Sequence, residues 1–264
     1  HNYLIENFDP EVLREYDIRG RVGKNLNDNT AYTIGRTFGY VVKLKLRSNK
    51  IVTGYDGRLT SPSLHQALCE GFKDSGVKVI NIGMGPTPMT YFAHYHFEAD
   101  AAVMLTGSHN PSEYNGFKMV LNKHSFFAED IQSLQKLLDN NKLELAEGQI
   151  INQDITAEYI ERNLLNISLN RKLKVAWDPG NGAMGKVTRK ITEKLFNSEN
   201  IIINEEVDGN FPNHHPDPGK LENLEDIISE VACLCGAAWS SILSLIHISE
   251  PTRLLSIWFC VVCV

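Results

Sequence analysis

Thr106–Met119, TGSHNPSEYNGFKM, follows directly on the apolar run AAVML (Ala101–Leu105), and the fold is read outward from it. Five consecutive apolar residues ending in Thr-Gly read as a buried strand. Its carboxyl end opens into Ser108, His109, Asn110 and Pro111, which places polar groups where open α/β sheets bind ligands. Pro111 and Gly116 shape the loop, and Lys118 lies on the strand that leaves it. The Ser108 hydroxyl is expected to be exposed there. Taken alone, a neighbouring Ser-His pair is a polar turn, because adjacent side chains seldom face each other as a nucleophile and its base must.

On either side of this stretch, strand and helix patterns alternate. From Asn27 to Leu46, Tyr32, Ile34, Phe38, Val41, Val42 and Leu44 fall near helical spacing, behind Asn27 or Asp28 as N-cap. KIVTGYDGR then reads as strand and turn, and SPSLHQALCEGFKDSG as a helix behind Ser61 with Pro62 at its first position. VKVINIG is a strand, TPMTYFAHYHF a short helix and EDIQSLQKLLDN another helix. The pattern predicts an α/β fold with βα units around a mixed sheet sandwiched by helices over residues 1–150, a complete first domain. Gln149–Asp154 is the candidate boundary. A partial second α/β domain is expected over residues 151–231, from helix AEYIERNLLN, strand LKVAWDP, a glycine turn, helix KVTRKITEKLFN and strand IIINEE. VDGNFPNHHPDPGK is too rich in Pro, Gly, Asn and His for a regular element, and LENLEDIISEV returns to helical spacing.

The 264 residues are 42% hydrophobic and 22% charged, with a formal net charge of -6, enough for one large or two modest α/β domains. With no Lys/Arg cluster, the chain is not expected to bind nucleic acid. No signal-peptide pattern opens it, and His1 in place of Met indicates a processed or cut start, so a cytoplasmic setting with no membrane contact is expected. Of five cysteines only Cys69 precedes Val231. Beyond Val231 the composition changes, and LSLIHISEPTR (Leu243–Arg253) resembles the translation of a transposase-type sequencing adapter. Residues 232–264 are therefore read as foreign to the protein. The closing run Leu254–Val264 is too short to span a bilayer. Stopping after the helical pattern Leu221–Val231, the second domain is expected to have lost the strand that should cover its apolar edge, so exposed surface and poor solubility are expected.

The string TGSHNPSEYNGFKM resembles the phosphoserine loop of the α-D-phosphohexomutases, in the phosphomannomutase/phosphoglucomutase branch. The resemblance extends, in the family's order, to LREYDIRG (Leu13–Gly20), GYDGRLTSP (Gly54–Pro62), DPGNGAMG (Asp178–Gly185) and DGNFPNHHPDP (Asp208–Pro218). It implies an isomerase that interconverts hexose 6-phosphates and hexose 1-phosphates of mannose or glucose through a bisphosphorylated intermediate. Ser108 would carry the phosphoryl group and Lys118 would transfer protons, burial beside cations bringing its amine towards neutrality. His109 matches a further active-site position, Asn110 would hold the loop, and Tyr16 and Arg19 would line the cleft, where a guanidinium suits phosphoryl oxygens. Mg²⁺ would be held by phosphorylated Ser108 and a DGDGDR loop, and a hexose 1,6-bisphosphate would act as activator. The chain contains no DGDGDR string, so Ser108 is its only expected metal ligand and the chain by itself is expected to be inactive.

Competing patterns exist. Gly180, Gly182 and Gly185 form G-x-G-x-x-G between a strand and a helix, with Glu205 or Glu206 near dinucleotide-fold spacing, as in a nicotinamide-dependent oxidoreductase. Pro179 and the flanking hexomutase strings favour a glycine turn instead, and a non-catalytic sugar-phosphate-binding protein is the other alternative. His214-His215, near Asp208 and Asp217, have metal-ligand chemistry, but adjacent histidines seldom share one ion. Cys233-x-Cys235 and Cys260-x-x-Cys263 imitate ligand spacing within the stretch read as foreign. His94 and His96 read as helix surface and packing.

Overall fold

The computed structural model describes residues 2–45, 48–140, 143–170, 172–217, 220, 222, 223, 225, 229, 244–247 and 260–263, the last two stretches as backbone. The chain divides into two compact units. One comprises His1–Gly107 with Ser112–Ile155, and the other Thr156–Val264 with the loop Ser108–Pro111. Among the described residues no helix is long and apolar enough to cross a membrane.

The first unit is built on β1 (Ile18–Arg21), β2 (Lys50–Tyr55), β3 (Lys78–Met84), β4 (Ala101–Leu105), β5 (Tyr114–Leu121), β6 (His124–Ser125) and β7 (Gln149–Asn152). Its helices are α1 (Asp28–Lys45), α2 (Ser61–Lys73), α3 (Thr87–His96) and α4 (Glu129–Asp139). The strand order is β1-β5-β4-β2-β3-β7, with β6 on β5. β2 pairs in parallel with β3 and β4, and β3 with β7, whereas β5 runs antiparallel to β1, β4 and β6, so the sheet is mixed.

Burial on both faces explains the unbroken apolar run of β4. Ala101, Val103 and Leu105 join the core made with α1, α2 and α4. Met104 points to the other face, where the Thr90 hydroxyl of α3 lies 3.2 Å from its sulfur. The chain passes from β3 through α3 to β4 on the far side of β2, so the loops after β2 and β4 meet at one carboxyl edge.

Local chemistry sets the helix ends. Asn27 caps α1, its Oδ1 accepting the Thr30 amide at 3.0 Å while Thr30 Oγ1 accepts the Asn27 amide at 3.2 Å. α2 begins at Ser61, one residue earlier than expected, with Thr60 as N-cap. α1 and α2 touch backbone to backbone, since a Cβ on Gly35 would lie 2.4 Å from the Leu68 carbonyl oxygen, and one on Gly71 2.3 Å from that of Tyr32. The expected boundary carries β7, whose parallel pairing with β3 from Lys78↔Gln149 to Asn81↔Asn152 places it inside the first sheet.

The second unit has α5 (Thr156–Leu164), β8 (Leu173–Asp178), α6 (Gly185–Thr192), β9 (Ser198–Ile202), β10 (Ser244–His247) and β11 (Cys260–Cys263), with strand order β10-β11-β8-β9. β8 and β9 are parallel. α6 stops at Thr192 instead of running to Asn197, where a positive φ of 60° turns the chain into β9. β8 is paired on both edges, in parallel with β9 and antiparallel with β11 from Asp178↔Cys260 to Val175↔Cys263. Most of LENLEDIISEV, together with Cys233 and Cys235, lies outside the described residues.

Candidate active site

Register brings together residues far apart in sequence. Arg19 on β1 stands opposite Gly116, and Lys118 opposite Met104. Gly116 and Lys118 are two residues apart on β5, so Arg19, Lys118 and Met104 share the face that packs α3, while Ile18, Phe117 and Leu105 point into the opposite core. Arg19 is 8% exposed, and its guanidinium is ion-paired to Asp17. Burial, and secondly the Arg19 charge, bring the Lys118 ammonium down from 10.5 to about 8, against the opposing pull of Asp17. Tyr16, in the same LREYDIRG string, is 45% exposed.

A second set forms where β2 and β4 end. The Asp56 amide donates to the Leu105 carbonyl at 3.0 Å and ties the two strand ends together. Asp56 Oδ2 accepts from Arg58 Nε at 3.1 Å, the Thr106 hydroxyl at 2.8 Å and the Gly107 amide at 3.3 Å. Its Oδ1 accepts from the Arg58 amide at 3.1 Å and the Ser61 hydroxyl at 2.6 Å. One carboxylate thus fixes both loops. Arg58 is 1% exposed and also donates to the Tyr114 carbonyl at 3.1 Å; desolvation lowers its pKa, with Asp56 opposing. Its guanidinium fills the space beside Gly107, where a Cβ would lie 2.4 Å from Arg58 Cζ. Fully buried Asn115 completes the support, donating to Thr60 Oγ1 at 3.0 Å and Ser61 Oγ at 2.9 Å.

Ser108 follows Gly107 in a left-handed conformation, φ 54°. The hydroxyl expected to be exposed belongs to a residue only 6% exposed. A left-handed conformation is costly for a residue other than glycine and persists where its surroundings over-determine it. His109 is exposed and its Nδ1 lies 3.4 Å from Ser108 Oγ, too long for a strong hydrogen bond; Asn110 is half-buried. The polar supports Asp56, Arg58, Thr106 and Asn115 are not evident individually from the sequence. Their signal was the string GYDGRLTSP, whose Asp and Arg lie two residues apart in a turn.

In the second unit the glycine-rich turn is closed by its own protein groups. Asp178 Oδ1 accepts the Gly180 amide at 2.8 Å and Asn204 Nδ2 at 3.0 Å, and Oδ2 is paired with His214 Nε2 at 2.7 Å. The first glycine's N–H therefore faces a carboxylate where a dinucleotide site would present it to a pyrophosphate. Glu205, a candidate ribose partner, is ion-paired to Arg189. His214 Nδ1 lies 3.1 Å from the His215 carbonyl oxygen. Both ring nitrogens of His214 are thus engaged within the turn. In α3, His94 is buried while His96 is exposed.

Comparison with known proteins agrees with this architecture. Residues 10–144 match the family described as phosphoglucomutase/phosphomannomutase, alpha/beta/alpha domain I, and residues 157–238 match its domain II. A phosphomannomutase/phosphoglucomutase of Pseudomonas putida is 46% identical over 220 residues, covering 83% of this chain and 47% of that protein. A phosphoglucomutase of Neisseria meningitidis is 42% identical over 227 residues, covering 85% of this chain and 49% of that protein. A crystal structure of a phosphoglucomutase/phosphomannomutase family protein from Burkholderia thailandensis superposes with a TM-score of 0.80 at 38% identity, covering 86% of this chain and 51% of that one. The chain spans about half the length of the curated relatives it matches.

Proposed function

The chain belongs to the phosphoglucomutase/phosphomannomutase family, and from that premise we propose that it supplies the phosphoryl-carrying part of a hexose-phosphate isomerase. Its substrates are hexose 6-phosphates and hexose 1-phosphates of mannose or glucose. The observation that carries this reading is the Ser108 turn at the carboxyl edge of the sheet, with Lys118, an amine held at about 8, on the strand that leaves the loop.

In the proposed reaction Ser108 carries a phosphoryl group on Oγ. A sugar hydroxyl oxygen attacks phosphorus, the P–Oγ bond breaks, and the hydroxyl proton passes to the neutral Lys118 amine. The product is a bisphosphorylated hexose. In the return half Ser108 Oγ attacks the other phosphoryl group, and Lys118 returns its proton to the sugar oxygen that leaves. A lysine near 8 is partly neutral at physiological pH and suits both directions. Arg19 and Tyr16 are proposed to contact the sugar phosphate, His109 to assist at the hydroxyl, and Asn110 to hold the loop. Asp56 and Arg58 are positioning residues that fix the turn before Ser108. A hexose 1,6-bisphosphate would load Ser108.

Mg²⁺ would neutralise phosphoryl oxygens when bound. Phosphorylated Ser108 offers one ligand, but among the described residues no group of three or more His, Cys, Asp or Glu side chains is placed to hold an ion. The ion does not fit the described residues alone, and no step is routed through it.

Residues 232–264 are proposed to be foreign, on the adapter resemblance. The pairing of β11 with β8 is compatible with this, because an open strand edge accepts any extended segment. The 264-residue chain is accordingly proposed to be inactive by itself.

Phosphopeptide mass spectrometry after incubation with glucose 1,6-bisphosphate and Mg²⁺, on protein in which residues 232–264 are replaced by the source's own sequence, tests the carrier. Phosphate on the Ser108 peptide, absent from Ser108→Ala, is the expected result. Phosphate confined to another residue would overturn the assignment. Glucose 1-phosphate turnover by the 264-residue chain well above its Ser108→Ala control would overturn the proposed inactivity.

A further inference from the structure

Away from the serine loop, the first unit holds a polar cavity of about 480 Å³ lined by Arg36, Tyr40, Lys43, Ser75, Leu143 and Glu144. Arg36, Tyr40 and Lys43 follow one another along one face of α1 at successive helical turns. Arg36 is 3% exposed. Its Nη1 donates to the Tyr32 hydroxyl at 3.2 Å, and its Nη2 to the carbonyls of Leu143 and Glu144, each at 3.1 Å. All these acceptors are neutral. The buried Nε–H has no partner.

A guanidinium withdrawn from water needs a counter-ion or a full set of acceptors, and Arg36 has neither. Among the described residues its charge reaches a carboxylate only through Tyr32, whose hydroxyl donates to Asp74 at 2.8 Å. Ser75 does not compensate, because its Oγ is committed to the carbonyls of Arg36 and Gly71. Lys43 adds a second cation to the wall, while the Glu144 side chain is exposed and screened.

We propose that this cavity binds a phosphoryl group, with Lys43 Nζ and the Tyr40 hydroxyl as donors and the buried Arg36 guanidinium as the positive charge in the wall behind them. A tetrahedral oxyanion offers separate oxygens to donors that come from different turns of a helix, and the volume lies within the range of small-ligand cavities. The phosphoryl group is either inorganic phosphate or that of a sugar phosphate. This inference is independent of the proposed reaction, since no residue of the serine loop takes part.

The test follows the backbone amides of Tyr40, Lys43, Ser75 and Glu144 by NMR in the full chain. Inorganic phosphate and glucose 6-phosphate are titrated separately at constant ionic strength set with chloride. Saturable shifts are expected, half-complete at roughly millimolar ligand, and Lys43→Ala should weaken binding about threefold to tenfold. Lys118→Met should leave these shifts in place, which separates the cavity from phosphate binding near the serine loop. Arg36→Met, which removes the buried charge, should also weaken binding; Lys43→Ala, at an exposed position, serves if that variant does not fold. The ligand that saturates at lower concentration identifies the source of the group. Non-saturating shifts with both ligands, or saturation unchanged by Lys43→Ala, would overturn the proposal.

Discussion

Lys118→Met should stabilise the first unit near neutral pH, and the gain should shrink as the solution becomes alkaline. In the folded chain the ammonium is held at about 8, against 10.5 for an ordinary lysine. Below about 8 the group is charged in both states, and the folded state bears the whole cost. A fall from 10.5 to about 8 corresponds to ~3 kcal/mol at pH 7. Between about 8 and 10.5 the unfolded chain binds more protons than the folded one, so the wild-type chain regains stability as pH rises. By pH 9 the same linkage leaves ~2 kcal/mol, so the advantage of Lys118→Met should fall by ~1 kcal/mol between pH 7 and pH 9. Methionine adds a roughly constant packing contribution, and the pH-dependent part isolates the charge. Cys69 provides the assay, being the one cysteine before Val231 and 4% exposed, so that it alkylates when the first unit opens. Both chains are equilibrated in urea, pulsed with an alkylating agent at each pH, and the Cys69 peptide is quantified by mass spectrometry. A stability difference that stays constant from pH 7 to pH 9 would refute the claim that folding disfavours the Lys118 charge. A Lys118→Met chain less stable than wild type at pH 7 would refute it as well.

Asp56→Ala leaves the buried Arg58 charge without its carboxylate and should destabilise the first unit by about 3–5 kcal/mol, read by the same alkylation assay; a loss below about 1 kcal/mol would remove Asp56 as the tie between the β2 and β4 loops. Gly71→Ala must push α1 and α2 apart, since its Cβ would fall 2.3 Å from the Tyr32 carbonyl oxygen, and a cost of about 1–3 kcal/mol is expected. Unchanged urea midpoints would show that the helices separate freely. His214→Ala removes the partner of the buried Asp178 side chain, and a cost of roughly 1.5–3 kcal/mol is expected in the second unit, followed by Trp177 fluorescence; a neutral result would mean that the Gly180 and Asn204 bonds suffice to hold the turn.

Much of the fold can be read from local patterns. The apolar run Ala101–Leu105, the Asn27 cap and Pro62 early in α2 each depend on residues close in sequence, and each gives the element expected. The order of these elements specifies an α/β fold with a mixed sheet, and the string from Thr106 to Met119 marks the loop where chemistry is expected. β7 was hidden because its partner β3 lies about seventy residues away, and four residues of mixed polarity carry no periodicity of their own. The end of α6 at Thr192 and the left-handed Asn197 that leads into β9 are conformations that composition does not reveal.

The candidate site divides along the same line. Residue types and spacing determine which side chains are available: Ser108, His109, Asn110 and Lys118 in one string, Tyr16 and Arg19 in another. Only tertiary structure decides their state. Strand register puts Arg19 and Lys118 on one face, and burial there takes the amine down to about 8. Ser108 is withdrawn from solvent, and Asp56 Oδ2 joins two loops fifty residues apart in sequence while Oδ1 holds its own loop. A sequence carries donors, acceptors and charges, but their desolvation and mutual distance arise only when strands distant along the chain are paired, and those two quantities set the chemistry.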